Sequence, residues 1–122
     1  MKIPDRDWLA DILIAARKVQ RFVAGVSRTE FEADDMRESA VARQLEIVGE
    51  AAKNVSAEFR AAHPEVPWKA MAGIRDILIH AYRTVDRDVV WSAVTTSVPA
   101  LIASVEPLIG AALEQEEQDR AN

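Results

Sequence analysis

The stretch DRDWLADILIAARKVQRFVAG, residues 5–25, decides the fold class. Trp8, Leu9, Ile12, Ala16, Val19 and Val23 recur at three- and four-residue steps, the period of a helix with one apolar stripe. Asp5 is placed to cap its start and Gly25 to end it, which predicts a helix over 5–25. The same period runs downstream. Thr29 followed by Glu32 fits a capping box, and 34–54 continues without proline as a second helix, with Met36, Val41, Leu45, Val48, Ala52 and Val55 expected inward. A short helix is expected near Ser56–Arg60. Pro64 and Pro67 then break the chain, and Pro67 suits a first helical turn.

A third helix is expected over 68–83, with Trp68, Met71, Ile74, Ile77, Leu78 and Ala81 apolar. Asp86 reads as the next N-cap, with Asp88 favourable in the first turn of a fourth helix over 87–97 that turns Val90, Trp91 and Val94 inward. Pro99 should kink or restart it. The fifth carries Leu101, Ile102, Val105, Leu108, Ile109 and Leu113. No segment alternates with period two, no Asn-Gly or Asp-Gly hairpin turn occurs, and no internal repeat is visible. The expectation is an all-α antiparallel four-helix bundle with extra short helices, a single domain over 1–113, followed by an acidic flexible tail over 114–122. A chain of 122 residues leaves part of each apolar stripe uncovered, so self-association is expected.

Composition narrows the chemistry. Half the chain is hydrophobic (49%) and 29% is charged, which excludes a disordered or low-complexity protein. With no cysteine there is no disulfide framework, thiol nucleophile or thiolate metal site. The net charge of −5 argues against a wholly basic nucleic-acid-binding surface. Much of it sits in Glu114, Glu116, Glu117 and Asp119, so a local basic patch elsewhere stays open. Charges at Asp5, Arg6, Asp7 and Asp11 speak against a signal peptide, and no uninterrupted apolar run approaches ~18 residues. The expectation is a soluble, cytoplasmic protein.

His63, before Pro64, is expected as an exposed loop residue. Neither histidine has partners at metal-ligand spacing, and there is no glycine-rich phosphate loop or G-x-S-x-G elbow. The chemistry concentrates in MAGIRDILIHAYR, residues 71–83. At about 100° per residue, Arg75, Ile79 and Tyr82 share a face, while His80 lies roughly 140° round from Arg75 and ~7.5 Å along the axis. One helix therefore cannot easily bring both to one phosphate. Two copies crossing antiparallel could, with Ala72, Gly73 and Ala81 allowing close approach. Asp76, four residues before His80, can orient the imidazole and favour its protonated form. The competing structural reading is an exposed Asp76–His80–Arg83 ladder worth about 0.3 kcal/mol.

These residues also carry a family resemblance. Arg75, His80 and Tyr82 form an R-x4-H-x-Y pattern that resembles the motif of the HepT-like toxins, a branch of the HEPN superfamily of helical RNases. The block Val41–Asn54 resembles the family's second helix, His63-Pro64-Glu65-Val66-Pro67-Trp68 its proline-tryptophan linker, and Val85-Asp86 with Val90-Trp91 its entry to helix 4. The resemblance spans nearly the whole chain in order. It implies a homodimeric bundle and a metal-independent endoribonuclease without cofactor, the toxin of a type VII toxin–antitoxin system. RNA is the implied substrate, tRNA among the candidates. An MntA-like nucleotidyltransferase antitoxin would neutralise it by transferring AMP to the motif tyrosine.

Carried over, Arg75 and His80 are the catalytic pair and Tyr82 the modified residue. The chemistry of the side chains agrees. An imidazole suits general acid–base work on a ribose 2′-OH, and a guanidinium can clamp the phosphate, giving a 2′,3′-cyclic product. Three positions depart from the family pattern. Asp76 stands where Asn is frequent, and Arg83-Thr84 stand where an aromatic and a small residue are frequent; Arg83 adds a positive charge for RNA. Gln44, Glu50 and Lys53 lie in the matching helix-2 block. Glu50 and Lys53 are expected to support the site, the alternative being a solvated i,i+3 pair. Trp68 and Trp91 read as core anchors. A second functional class stays open: a non-catalytic helical adaptor, or substrate-binding partner, of a nucleotidyltransferase.

Overall fold

Leu9, Ile12, Ala16 and Val19 line one side of the first helix, α1 (Asp5–Val23), and are fully buried against Val41, Leu45, Val48 and Ala52 of α3 (Asp35–Asn54). The computed structural model describes residues 2–84 and 86–122; the side chain of Tyr82 also lies outside the described part. Each large aliphatic side chain so buried contributes about 1.5–3 kcal/mol, and this seam is the largest helix–helix contact in the bundle. The pair is antiparallel, as its two ends show. Asp5 at the start of α1 meets Ser56 just beyond α3, and Arg37 near the start of α3 donates to the Phe22 carbonyl at the end of α1. Between them runs α2 (Arg28–Glu32), whose Phe31 is buried and stacks on Trp91 at 5.5 Å.

After α3 come α4 (Ala57–Ala62), α5 (Trp68–Ala72) and α6 (Ile74–Thr84). Helices α5 and α6 pack on α3. At Gly49 an added Cβ would lie 3.4 Å from the carbonyl oxygens of Met71 and Ala72. The last layer is one helical run: α7 (Arg87–Ser92), a wide π turn (Ala93–Ser97), α8 (Val98–Val105) and α9 (Leu108–Ala121). Helices α8 and α9 return to α1 through Val98, Leu101, Val105, Leu108 and Ala112. Among the described residues there is no strand. The architecture is all-α, as the apolar periods require.

Several local expectations are corrected. Asp5 does not cap α1, which follows Pro4 without a side-chain cap; its carboxylate instead accepts from the N–H and Oγ of Ser56, each at 2.7 Å, across the bundle. The N-caps downstream are Ser27 and Asp34 rather than Thr29, which lies inside α2. Helix α1 ends at Val23, and Gly25 takes the left-handed turn at φ 71°. Met36 is 84% exposed, because it lies in the first turn of α3, beyond the reach of α1's stripe. Ile77 and Leu113, apolar members of the third and fifth expected helices, are exposed.

The helix expected over 68–83 is broken at Gly73, which caps α5 before α6 restarts. Pro99 stands directly behind the π turn. It has no N–H for the Thr95 carbonyl, and its ring would crowd that oxygen, so the preceding turn widens. Beyond Leu113 the helix runs on to Ala121, with Glu116 facing Arg6 at 3.5 Å. The stretch Arg87–Ala121 is also long and apolar enough, by length and composition, to cross a bilayer, although it lacks an uninterrupted apolar run. Its buried positions pack on α1, and its exposed apolar positions line a groove described below.

Candidate active site

The motif helix is placed by the linker before it. Trp68 is buried, and its Nε1 donates to the His63 carbonyl at 2.9 Å. Phe59 lies between them, 4.5 Å from the imidazole of His63 and 6.3 Å from the indole. His63 is thus a half-buried anchor of the Pro64–Pro67 turn rather than an exposed loop residue, with Glu65 3.5 Å away. Trp68 is the core anchor its position suggests, and Trp91 is half-buried against Phe31. With α5 pinned and seated on Gly49, α6 starts in a fixed direction.

Along α6, Ile74, Leu78 and Ala81 are buried at steps of four and three. The helical period then turns Arg75, Asp76, Ile77, Ile79, His80 and Arg83 outward, and all six are exposed. Arg75 and His80 lie five residues apart, roughly 140° round the helix, so a single chain exposes both groups without bringing them together. Among the described residues, the side chains of Arg75, Asp76, His80 and Arg83 make no hydrogen bond or ion pair; the Asp76–His80–Arg83 ladder is not closed. The Thr84 hydroxyl donates to the His80 carbonyl at 3.0 Å and so ties off the end of the helix. Tyr82 follows in the same helix, with its side chain outside the described part.

Two concavities flank this surface. A depression of about 300 Å3 lies directly beside His80, lined also by Asp76, Ile77, Ala81, Asp86 and Val89. Beyond Ile77 and Val89 it passes into an apolar groove of about 570 Å3 between α5–α6 and α7–α8, walled by Met71, Ile74, Ala93 and Leu101. On the inner side of the α6–α7 corner, Glu32, Glu38, Asp86 and Arg87 surround a small cavity of about 120 Å3. There burial raises the Glu38 carboxyl above the usual range, against the opposing pull of Arg87. The corner is tied to α2 by ion pairs: Arg28 to Asp88 at 2.6 Å and to Glu32 at 2.8 Å, and Arg87 to Glu32 at 3.6 Å. The hydrogen bonds from Arg28 to Glu32 and Asp88 raise its pKa.

Glu50 and Lys53 are exposed on α3. Glu50 accepts from the Asn54 side chain at 3.3 Å rather than pairing with Lys53, and among the described residues neither makes a hydrogen bond or ion pair with Arg75 or His80. Gln44 is half-buried on the same helix. Sequence reasoning missed the part of Asp86 and Val89 in lining the depression at His80. Asp86 was legible as an N-cap, and it is one, accepting from the Val89 N–H at 3.3 Å. Its neighbourhood to His80 arises only when the chain turns between α6 and α7.

The family described as HepT-like, ribonuclease HepT-like, matches residues 12–108, from the middle of α1 to the start of α9. The chain belongs to this ribonuclease family. The HepT-like match contains the whole of α6 and both concavities. A protein of Thermococcus cleftensis named "Probable ribonuclease HepT" is 42% identical over 108 residues, covering 88% of this chain and 98% of the relative. One of Caldanaerobacter subterraneus subsp. tengcongensis, named "Putative RNase TTE0752", is 39% identical over 109 residues, covering 89% and 96%. A third, from Methanocaldococcus jannaschii and named "Putative RNase MJ1380", is 41% identical over 99 residues, covering 81% and 91%. No solved structure matches the chain. The HepT-like, HEPN-superfamily fold expected from the motif is thus the one the chain has.

Proposed function

We propose that this protein is the toxin of a type VII toxin–antitoxin system, an endoribonuclease that cuts RNA in the cytoplasm with Arg75 of one subunit and His80 of a second. The observation that carries the reading is the pairing of an unengaged guanidinium with an unengaged imidazole on the exposed surface of one helix, beside an apolar groove. His80 takes the proton of a ribose 2′-OH, whose oxygen attacks the adjacent phosphorus. The 5′-oxygen leaves and is protonated, giving a 2′,3′-cyclic phosphate and a 5′-hydroxyl. Arg75 forks onto the phosphate oxygens as negative charge builds on them. No metal or cofactor takes part in these steps.

The geometry of one chain supports the reading that a second subunit completes the site. Five helical steps separate the two groups, so neither can face the other within one α6. The groove ends at Ile77, three residues before His80, and a second copy seated there lies next to the motif. Tyr82 is the residue assigned to regulation. Its phenolic oxygen would attack the α-phosphate of ATP held by a nucleotidyltransferase partner, releasing diphosphate and leaving an AMP ester two residues from His80. The added anion would occupy the guanidinium and obstruct RNA. Asp76 and Arg83 lie on the same exposed helix; Arg83 adds charge for the RNA backbone, and Asp76, four residues before His80, would orient the imidazole once their open ladder closes on RNA.

The test is cleavage of RNA by purified protein in EDTA, beside His80→Ala and Arg75→Ala. Chelator-resistant cleavage that falls at least about 100-fold in both variants is expected. Mixing the two variants should restore part of the activity in heterodimers. Equal residual cleavage in all three proteins would remove the RNase reading and leave the adaptor role, to be checked by co-purification with a nucleotidyltransferase.

A further inference from the structure

The depression beside His80 differs in character from a phosphate site. Ile77, Ala81 and Val89 give it a mainly apolar floor, and Asp76, His80 and Asp86 complete its lining. Both acids are exposed, and neither forms an ion pair among the described residues. Asp86 is held in place from both sides. Its N–H donates to the Ala81 carbonyl at 2.7 Å and its Oδ1 accepts from the Val89 N–H, while its Oδ2 has no partner among the described residues. Two carboxylates repel a phosphate, and an apolar floor offers a hydrated cation no further ligands. The combination suits a flat, uncharged group whose face lies on aliphatic side chains and whose edge donates hydrogen bonds.

RNA brings such a group to this place. The nucleobase is attached to the same ribose whose 2′-OH lies at His80, so a base splayed from the strand can reach the adjoining hollow. Splayed bases read on their Watson–Crick edges are the usual currency of single-strand recognition. Among the four, guanine presents two donors side by side, N1–H and the 2-amino group, which match one carboxylate. Adenine and cytosine pair one amino group with a ring acceptor that a carboxylate repels, and uracil offers a single donor flanked by acceptors. We propose that the depression is a base subsite that takes the nucleobase 5′ of the cut bond and prefers guanine, with Asp86 accepting from its edge. This rests on the RNase reading for the presence of RNA at His80, and goes beyond it in naming the base.

Two measurements test it separately from that reading. In the first, guanosine 3′-monophosphate is titrated into the full-length protein and followed by amide NMR. Shifts centred on Ile77, Ala81 and Val89 are expected. Binding should be about fivefold to tenfold tighter than for inosine 3′-monophosphate, which lacks the 2-amino group, or for uridine 3′-monophosphate. Asp86→Asn, which keeps the N-cap, should erase the difference. Equal binding of the three nucleotides, or shifts confined to other surfaces, would overturn the subsite. In the second, oligoribonucleotides differing only in the base 5′ of the cut are compared. Cleavage without guanine preference removes the subsite and leaves the RNase. Absence of cleavage together with guanosine-selective binding leaves the subsite and removes the RNase.

Discussion

Asp5 shows what one side chain contributes to this bundle. Its two oxygens accept from the N–H and Oγ of Ser56, each at 2.7 Å, so they brace the N-cap of α4 and fasten the start of α1 to the end of α3. Asp5→Ala should therefore cost about 1–2 kcal/mol, with Asp5→Asn intermediate, measured as the urea midpoint at pH 7. An unchanged midpoint in the alanine variant would mean that Ser56 alone caps α4. Glu38 makes the opposite contribution. Burial lifts its carboxyl above the ordinary range, so the folded state binds that proton more tightly than the unfolded chain. It adds relative stability at acid pH, which is lost as pH rises through the raised value. Glu38→Gln should then stabilise the fold at pH 7 by no more than about 0.5 kcal/mol, since the group is partly solvated, read as a small rise in Tm that vanishes near pH 4. Destabilisation at pH 7 would show instead that attraction to Arg87 outweighs burial. At this scale the sequence reads a cap on the next helix well, as at Asp86, and cannot read a brace such as Asp5, whose partner Ser56 lies 51 residues away.

Helices were legible as elements because the apolar period is strong in each; their interruptions were not, because the period survives the break. Ile74, Leu78 and Ala81 continue the stripe of Trp68 and Met71, so nothing in the spacing marks Gly73 as the boundary of α5 and α6. The π turn before Pro99 likewise leaves Val94 and Val98 buried. What fixes the direction of α6 is a contact between elements, the approach of α5 to α3 at Gly49. There an added Cβ meets two carbonyl oxygens at ordinary contact distance, so Gly49→Ala should be nearly neutral or slightly stabilising. Gly49→Leu has no such room. It should displace α5 and cost about 1–3 kcal/mol, and it should lower RNA cleavage beyond what the loss of folded protein explains, because α6 moves with α5. Thermal melts beside cleavage per folded molecule separate the two effects. Full specific activity in a destabilised Gly49→Leu would show that the motif helix holds its place independently of α5.

For the whole molecule, an apolar groove of about 570 Å3 lies open between α5–α6 and α7–α8, and it accounts for exposed apolar positions along Arg87–Ala121, a helix with one buried side. The motif residues were legible in the sequence as types and spacing. The hollow at His80 was not, since it exists only where the α6–α7 corner meets Val89. If a second copy covers the groove, the Arg75–His80 pair becomes complete only in the dimer, and cleavage should follow dimer concentration. Ala100, exposed on the groove wall, gives the test without disturbing the monomer's core. Ala100→Glu places a charge against an apolar partner surface and should weaken self-association at least about 100-fold, with an unchanged circular dichroism spectrum. Sedimentation equilibrium should show wild-type dimer and variant monomer at the same micromolar concentration. Cleavage by the variant should be lost at that concentration and return as the protein is concentrated. A wild-type monomer with full activity would show instead that Arg75 and His80 act within one chain, and the crossing of two motif helices would no longer be needed.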